Sequence, residues 1–248
     1  MRTTLSILVA IALVAVAGVH SRSRADARRE PVARETAPHV LKSEPPPTDD
    51  DHHRELKARA LEAMLAWAPP STIAQTHSTE SYPQIASDVV DVALDPGEPA
   101  LWADDADKSR TVTLLATIAY FEGHFWPYVE AGVCNDERLR ADPVLRNGGC
   151  DGGRAYSLWQ IHPVRNMVLL DNGLWGRAVG DSDRVITGDK LLADRKLAAR
   201  TALHFLRASL RRDGTLCEYT GERRPNCPKA DRRLRFALDW AESHAHGI

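Results

Sequence analysis

Apolar residues recur at intervals of three and four in five stretches of the chain, the spacing that places them on one face of a helix. The pattern predicts helices over 54–67, 82–96, 109–125, 190–212 and 231–244. No run alternates strongly enough to predict a strand, although 150–190 leaves room for short ones. We therefore expect a mainly α fold.

The predicted helices have defined ends and inward faces. Pro69-Pro70 stops the first, Ser109 is a candidate N-cap for the third, and Asp213-Gly214 ends the fourth. The inward positions are Leu56, Ala60, Met64 and Trp67 on the first, Leu192, Ala199, Leu203, Leu206 and Leu210 on the fourth, and Leu234, Ala237, Leu238 and Ala241 on the last.

The residues before the first helix show a different pattern. Arg2 precedes an apolar run, Leu5–Val19, and small residues follow it, so 1–21 are predicted to be a signal peptide cleaved after Ser21. The alternative is an uncleaved anchor, in which case the chain would contact a membrane. Residues 22–52 are rich in proline and charge and are predicted to form a disordered linker. Residues 53–248 are then one domain, exported to the periplasm or secreted.

Charge is distributed unevenly along this domain. Residues 49–107 contain 13 acids and 3 Lys or Arg, a net charge of −10, whereas 190–248 contain 13 Lys or Arg and 7 acids, a net charge of +6. A basic helical surface is by default a solvated one, and its functional interpretation is attraction to an anionic polymer. Nucleic acid is not the expected partner, because export is predicted and no nucleic-acid motif is present.

The four cysteines favour disulfides, because the predicted compartment is oxidising. Three pairings are open, and the local one joins Cys134 to Cys150 and Cys217 to Cys227. Zinc is the competing interpretation, but no pair has CxxC spacing. We expect neither a metal ion nor a cofactor.

One carboxyl group occupies an unusual position. Leu115, Ile118 and Glu122 share a face of the third helix, so Glu122 continues its buried stripe. Burial and the C-terminal end of the helix dipole both favour the uncharged carboxyl form, as a general acid requires. The surrounding aromatic residues could wall off the carboxyl group and bind flat sugar faces: Tyr120, Phe121, Phe125, Trp126 and Tyr128.

Four stretches in order carry a family resemblance. They are "ATIAYFEGHFWP", "GGRAYSLWQIHP", "AARTALHFL" and "CEYTG", and the resemblance that they carry covers about 109–221. Together they resemble the lytic transglycosylase (SLT) group of the lysozyme-like superfamily. Glu122 and Phe125 match the family's E-S-x-F motif, and Ala155, Leu158 and Gln160 match its G-A-x-G-L-M-Q motif. Phe205-Leu206 and Tyr219 match the later motifs. The fold implied is a lysozyme-like helical domain.

The chain also departs from the family pattern. Gly123 stands where the family usually has Ser, Ser157 replaces a Gly, and Trp159 replaces a Met. The insert "VCNDERLRADPVLRNGGC" lengthens the spacing between Glu122 and Gln160. A Cys134–Cys150 disulfide would staple this insert beside the catalytic helix.

The resemblance implies a reaction and a set of site residues. The substrate would be peptidoglycan, cleaved at the β-1,4 bond between N-acetylmuramic acid and N-acetylglucosamine, with a 1,6-anhydro-muramyl product. Glu122 would be both general acid and base. The implied substrate-binding residues are Gln160, Ser157, Trp159, Tyr219, Phe125 and His162.

Two alternatives stay open. A muramidase of the same fold would use a second carboxylate to activate water, with Glu130, Asp136, Glu137, Asp142 and Asp151 as candidates. The other alternative is a catalytically silent domain that binds glycan or an envelope partner.

Overall fold

The computed structural model describes residues 48–69, 79–135, 150–180 and 182–244. The predicted signal peptide and most of the predicted linker lie outside these ranges. Helices dominate the described part, as the sequence predicts. They are α1 Asp49–Trp67, α2 Tyr82–Leu94, α3 Ser109–Gly123, α4 Pro127–Glu130, α5 Gly188–Ala193, α6 Arg195–Asp213 and α7 Pro228–Ser243. Among them, none is long and apolar enough to cross a bilayer.

Helix α3 is the centre of the core. It packs against α1, α2, α6 and α7, and Leu114, Leu115 and Ile118 are fully buried. Thr111 and Thr117 are fully buried too, because neighbours cover the helix on more than one side. A helix enclosed in this way provides a rigid support for the side chains at its ends.

Helix α1 begins earlier than the sequence pattern predicts. Thr48 is its N-cap and accepts a 3.2 Å hydrogen bond from the Asp51 amide, while the Asp51 carboxylate accepts a 3.1 Å bond from the Thr48 amide. This reciprocal capping box satisfies two amides that would otherwise lack partners. Residues 49–52, assigned to the disordered linker from composition, are therefore helical.

The single helix predicted over 190–212 is two helices. Asp194 adopts an extended conformation between α5 and α6, and its side chain accepts a 2.9 Å hydrogen bond from the Leu197 amide. This cap starts α6 and breaks the apolar period. As a result, Leu191 is buried in place of the predicted Leu192, which is only partly buried. Gly214, in the left-handed region, ends α6 as predicted.

Acids of α2 and its C-cap residue, Asp95, form ion pairs with bases of α6. Ion pairs join Asp88 to Arg195 at 2.8 Å, Asp91 to Lys196 at 2.7 Å and Asp95 to Arg200 at 2.5 Å. The acidic and basic regions of the sequence therefore meet as neighbouring helices. Much of the basic charge on α6 is compensated within the protein.

A short antiparallel hairpin lies in the segment where the sequence leaves room for strands. Strand β1, Met167–Leu169, pairs with β2, Trp175–Arg177, with Val168 opposite Gly176. Buried side chains of α6 hold the loop between the strands: Arg207 donates to the Gly173 carbonyl, and a ring nitrogen of His204 lies 2.8 Å from the Leu174 carbonyl.

The start of α3 depends on a buried aspartate. Asp105 is 2% exposed, and its carboxylate accepts hydrogen bonds from the amides of Arg110 and Thr111 at 3.1 and 2.9 Å. The N-cap is Lys108 and Ser109 is the first helical residue, so the N-cap predicted at Ser109 is wrong. The capping acceptor comes instead from three residues before the N-cap.

We expect Asp105→Ala to lower the free energy of unfolding by about 1–3 kcal/mol, because it leaves buried amide donors without an acceptor. Urea unfolding followed by circular dichroism measures the change. Asp104→Ala is the matched control, since Asp104 is exposed and its carboxylate pairs with the Arg110 side chain. Equal losses in the two variants would contradict the capping role of Asp105.

Candidate functional site

Glu122 lies in a cleft with a volume of about 920 Å³. It is called the Glu122 cleft below. Its walls come from the end of α3, a turn before β1, α6, the loop after α6, and α7. Among the described residues that line it are Glu122, Gln160, Phe205, Tyr219, Lys229 and Arg233. Gln160 and Tyr219 were both predicted from the sequence to share a site with Glu122.

Glu122 occupies the last turn of α3 with its side chain 19% exposed. Its Oε1 lies 2.8 Å from Nη2 of Arg233 on α7. Burial raises the pKa of Glu122 above its ordinary value, while the positive charges of Arg233 and Lys229 act in the opposite direction. Burial prevails, in the direction that the sequence pattern predicts.

Gln160 is presented by a tight turn, residues 156–161, called the Gln160 turn below. The backbones of Tyr156 and Ile161 exchange two hydrogen bonds of 2.9 Å across it. The Gln160 side-chain amide donates to the Ser157 carbonyl at 3.0 Å. This bond fixes the amide while its carbonyl oxygen makes no hydrogen bond to the described part of the chain.

Two side chains anchor the Gln160 turn to the rest of the site. The Trp159 indole donates a 2.9 Å hydrogen bond to the Leu115 carbonyl on α3. The Tyr219 hydroxyl donates a 2.6 Å bond to the Trp159 carbonyl. Desolvation, with a smaller contribution from the nearby Glu122 charge, raises the pKa of Tyr219 well above its ordinary value, so this hydroxyl remains a donor.

A close backbone contact explains Gly123, which departs from the family pattern. A Cβ atom at position 123 would lie 2.5 Å from the Leu158 carbonyl oxygen and 2.9 Å from the Leu158 Cα. Both atoms are backbone, so no rotamer change could relieve the clash. Glycine is required here because the end of α3 packs directly against the Gln160 turn.

Three residues predicted to bind substrate are buried instead. Trp159 and Phe125 are 0% exposed and Ser157 is 3% exposed, which contradicts direct sugar contacts for them. Trp159 anchors the turn, and Phe125 packs against Tyr82. Ser157 has φ of 64°. Glycine adopts this left-handed conformation more readily than other residues, which fits the Gly of the family motif at this position.

The aromatic residues around Glu122 do not form the predicted sugar platform in the described part of the cleft. Tyr120 packs against Trp67 and Phe236 between α1, α3 and α7. Trp126 stacks on Tyr128, and both lie against the disulfide between Cys134 and Cys150. These rings stabilise the core and the start of the inserted loop. Their clustering in the sequence reflects packing.

Cys134 pairs with Cys150, and Cys217 pairs with Cys227, as the local pairing predicts. Cys150, the last residue of the inserted segment, also lines the Glu122 cleft. The first disulfide therefore fixes this end of the segment beside the site. Disulfides persist in oxidising compartments, which is consistent with an exported protein.

The candidate second carboxylates separate into three groups. Asp151 lines the Glu122 cleft, with its Oδ2 3.4 Å from Nε2 of His162, which also lines it as predicted. Glu130 pairs with Arg195 and is not among the lining residues. Asp136, Glu137 and Asp142 lie outside the described residues. Glu218, which the sequence did not single out, lines the cleft as well.

Arg233 and Lys229 are functional candidates that the sequence pattern did not single out. They lie four residues apart on α7, within the basic region of the chain. Net charge was a signal that this region could attract an anion, but it did not indicate which cations face a cleft.

No protein-family model, curated protein or solved structure matches this chain. The link to lytic transglycosylases therefore consists of the short motifs that contain Glu122, Gln160 and Tyr219. Their convergence on one cleft is a property of this structure and does not depend on any relative.

We expect Gly123→Ser to lower the free energy of unfolding by about 1–3 kcal/mol, because the added atoms overlap the Leu158 backbone. Thermal and urea unfolding measure this loss. Ser157→Gly is the control, since it makes the reverse exchange at the contacting turn. We expect it to preserve or raise stability, because glycine tolerates the positive φ. An unchanged stability of Gly123→Ser would contradict the contact.

Proposed function

We propose that this chain is a lytic transglycosylase that cleaves the β-1,4 bond between N-acetylmuramic acid and N-acetylglucosamine in peptidoglycan. The observation that carries the proposal is the convergence of Glu122, Gln160 and Tyr219 on the Glu122 cleft. These residues come from three separate motifs of the resemblance. Chance matches to short motifs have no reason to meet around one partly buried carboxyl group.

Glu122 performs the first step as a general acid. Its protonated carboxyl donates a proton to the glycosidic oxygen, which allows the bond to C1 of muramic acid to break. Burial supports this step, since it raises the pKa of Glu122 and keeps more of the acid form near neutral pH.

The resulting Glu122 carboxylate performs the second step as a base. It accepts the proton of the muramic 6-hydroxyl while that oxygen bonds to C1, which closes the 1,6-anhydro ring. Glu122 is protonated again at the end of the cycle. One carboxyl group is sufficient because no water attacks.

The other lining residues bind and position the glycan. The free carbonyl oxygen of the Gln160 amide is an acceptor for the N–H of an acetamido sugar. Tyr219 supports the backbone of the Gln160 turn through its bond to the Trp159 carbonyl. His162, with its side chain half exposed beside Asp151, provides a further polar contact on the cleft wall.

A muramidase is the second candidate function, and the placement of Asp151 favours it. Asp151 lines the same cleft as Glu122 and is open to solvent. A carboxylate on the far side of a bound sugar could activate water, as in inverting glycosidases. The two reactions differ in their products, which are reducing ends for hydrolysis and anhydro ends for the lyase.

We expect purified protein to release anhydro-muropeptides from sacculi and Glu122→Gln to lower this activity by about a hundredfold or more, the scale of general acid–base catalysis. Mass spectrometry before and after borohydride reduction identifies the ends. Glu62→Gln, an exposed change of the same chemistry on α1, is the control and should keep full activity.

Each other outcome has a defined meaning. If the wild-type protein produces reducible ends and Asp151→Asn does not, the protein is a muramidase and the lyase proposal is wrong. Full activity in Glu122→Gln would refute the role of Glu122. If the wild-type protein releases no muropeptides, both enzyme hypotheses are wrong and the hypothesis of a binding domain without catalysis is supported.

We expect kcat to fall as pH rises through the pKa of Glu122, because only the protonated carboxyl can act as the acid. Lys229→Gln removes a positive charge that lowers this pKa, so the alkaline limb of its profile should move to higher pH. A limb that moves to lower pH would contradict the assignment. Among the described residues, the other charged or titratable side chains that line the cleft are Asp151, His162, Glu218, Tyr219 and Arg233.

A further inference from the structure

Two cations of α7, Lys229 and Arg233, have fewer acidic partners than the cations in the first two turns of α6. On α6, Arg195, Lys196 and Arg200 pair with acids of α2 and the residue that follows it. On α7, Lys229 is exposed and makes no ion pair within the described ranges. It lies in the same cleft as Arg233, one helical turn away.

Arg233 is partly buried, and its ion pair leaves guanidinium donors available for a ligand. Its side chain is 12% exposed, and its ion pair with Glu122 engages one nitrogen, Nη2. Nε is buried without a hydrogen-bond partner in the described part of the protein. The guanidinium also lies over the Phe121 ring, with Cζ 5.8 Å from its centroid. A buried donor without an acceptor is costly, and a bound anion would supply one.

We propose that Arg233 and Lys229 form a binding site for a carboxylate of the substrate, through which the Glu122 cleft selects acidic glycans over neutral ones. This inference rests on the proposed function and specifies the substrate feature that the site recognises. A guanidinium binds a carboxylate through two parallel hydrogen bonds. The ammonium of Lys229 adds a second charge on the same helix face.

Carboxylate binding would also act on Glu122. The incoming anion competes with Glu122 for Arg233, and an additional negative charge beside Glu122 disfavours its ionised form. Glu122 would then bind a proton more readily when an acidic glycan occupies the cleft than when the cleft is empty. The ion pair with Arg233 would be the resting arrangement, and substrate would convert Glu122 to the acid that the first step needs.

Peptidoglycan offers two sources of such a carboxylate. In glycan strands without peptides, each muramic acid has a free lactyl carboxylate. In intact strands that group is bonded to the stem peptide, whose own carboxylates are then the candidates. The chemistry recognised is the same, so separate ligands are needed to distinguish the sources.

The experiment measures binding to the wild-type protein by calorimetry, with four ligands of similar length. They are a peptide-free muramyl glycan, the same glycan with its lactyl carboxylates methyl-esterified, a peptide-bearing glycan, and a neutral chito-oligosaccharide. We expect at least one acidic ligand to bind about tenfold or more tightly than the neutral ones, the scale of one charge-assisted contact. The acidic ligand that shows this preference identifies the source.

Arg233→Gln should remove most of this preference, and Lys229→Gln should reduce it by about threefold, a partial loss of one contact. Lys229 is exposed, so its variant tests the site even if Arg233→Gln fails to fold. Arg232→Gln is the matched control, because Arg232 also lies over Phe121 but is not among the residues lining the cleft. It should keep the wild-type preference.

The proposal is overturned if wild-type protein binds acidic and neutral glycans equally, or if the preference survives both Arg233→Gln and Lys229→Gln. These results are distinct from failure of the proposed function. Cleavage of sacculi without acid preference would refute only the carboxylate site. Acid preference without any cleavage would refute only the catalytic function.

Discussion

The contact between Gly123 and the backbone of Leu158 is the constraint on which the site depends. A side chain at position 123 would collide with backbone atoms, so glycine lets the Gln160 turn lie directly against α3. The Trp159 indole and the Tyr219 hydroxyl then fix the turn through hydrogen bonds to backbone carbonyls. In this way a buried helix, a turn and a distant loop present Glu122, Gln160 and Tyr219 to the same cleft.

Opposing effects act on the pKa of Glu122. Burial favours its protonated form, and Arg233 with Lys229 favours its charged form. A general acid that is also a base must exchange its proton within one cycle, and a carboxyl group held strongly in either form would do so poorly. In the proposed enzyme, occupancy of the cleft by an acidic substrate would set this balance. The catalytic and recognition functions would then share Arg233.

Local patterns predicted most of the helices, because each helix depends on neighbouring residues and on its caps. The end of α1 at Trp67 and the end of α6 at Gly214 follow from such signals. The prediction failed where a cap competed with the apolar period, as at Asp194, or where the capping acceptor lay outside the helix, as at Asp105. For the site, the helical pattern indicated Glu122 and the family resemblance indicated Gln160 and Tyr219, but burial removed Phe125, Ser157 and Trp159 from substrate contact.

The sequence alone determined the helical class and the apolar stripe that leads to Glu122, since both depend on spacing along the chain. It left three cysteine pairings open, and the structure shows the local one. Only the tertiary structure decided which charges are compensated. Acids of α2 and its C-cap Asp95 pair with Arg195, Lys196 and Arg200 of α6. Lys229 and Arg233 of α7 instead face the Glu122 cleft. Net charge along the sequence could not distinguish these cations, because ion pairing depends on which helix faces meet after folding.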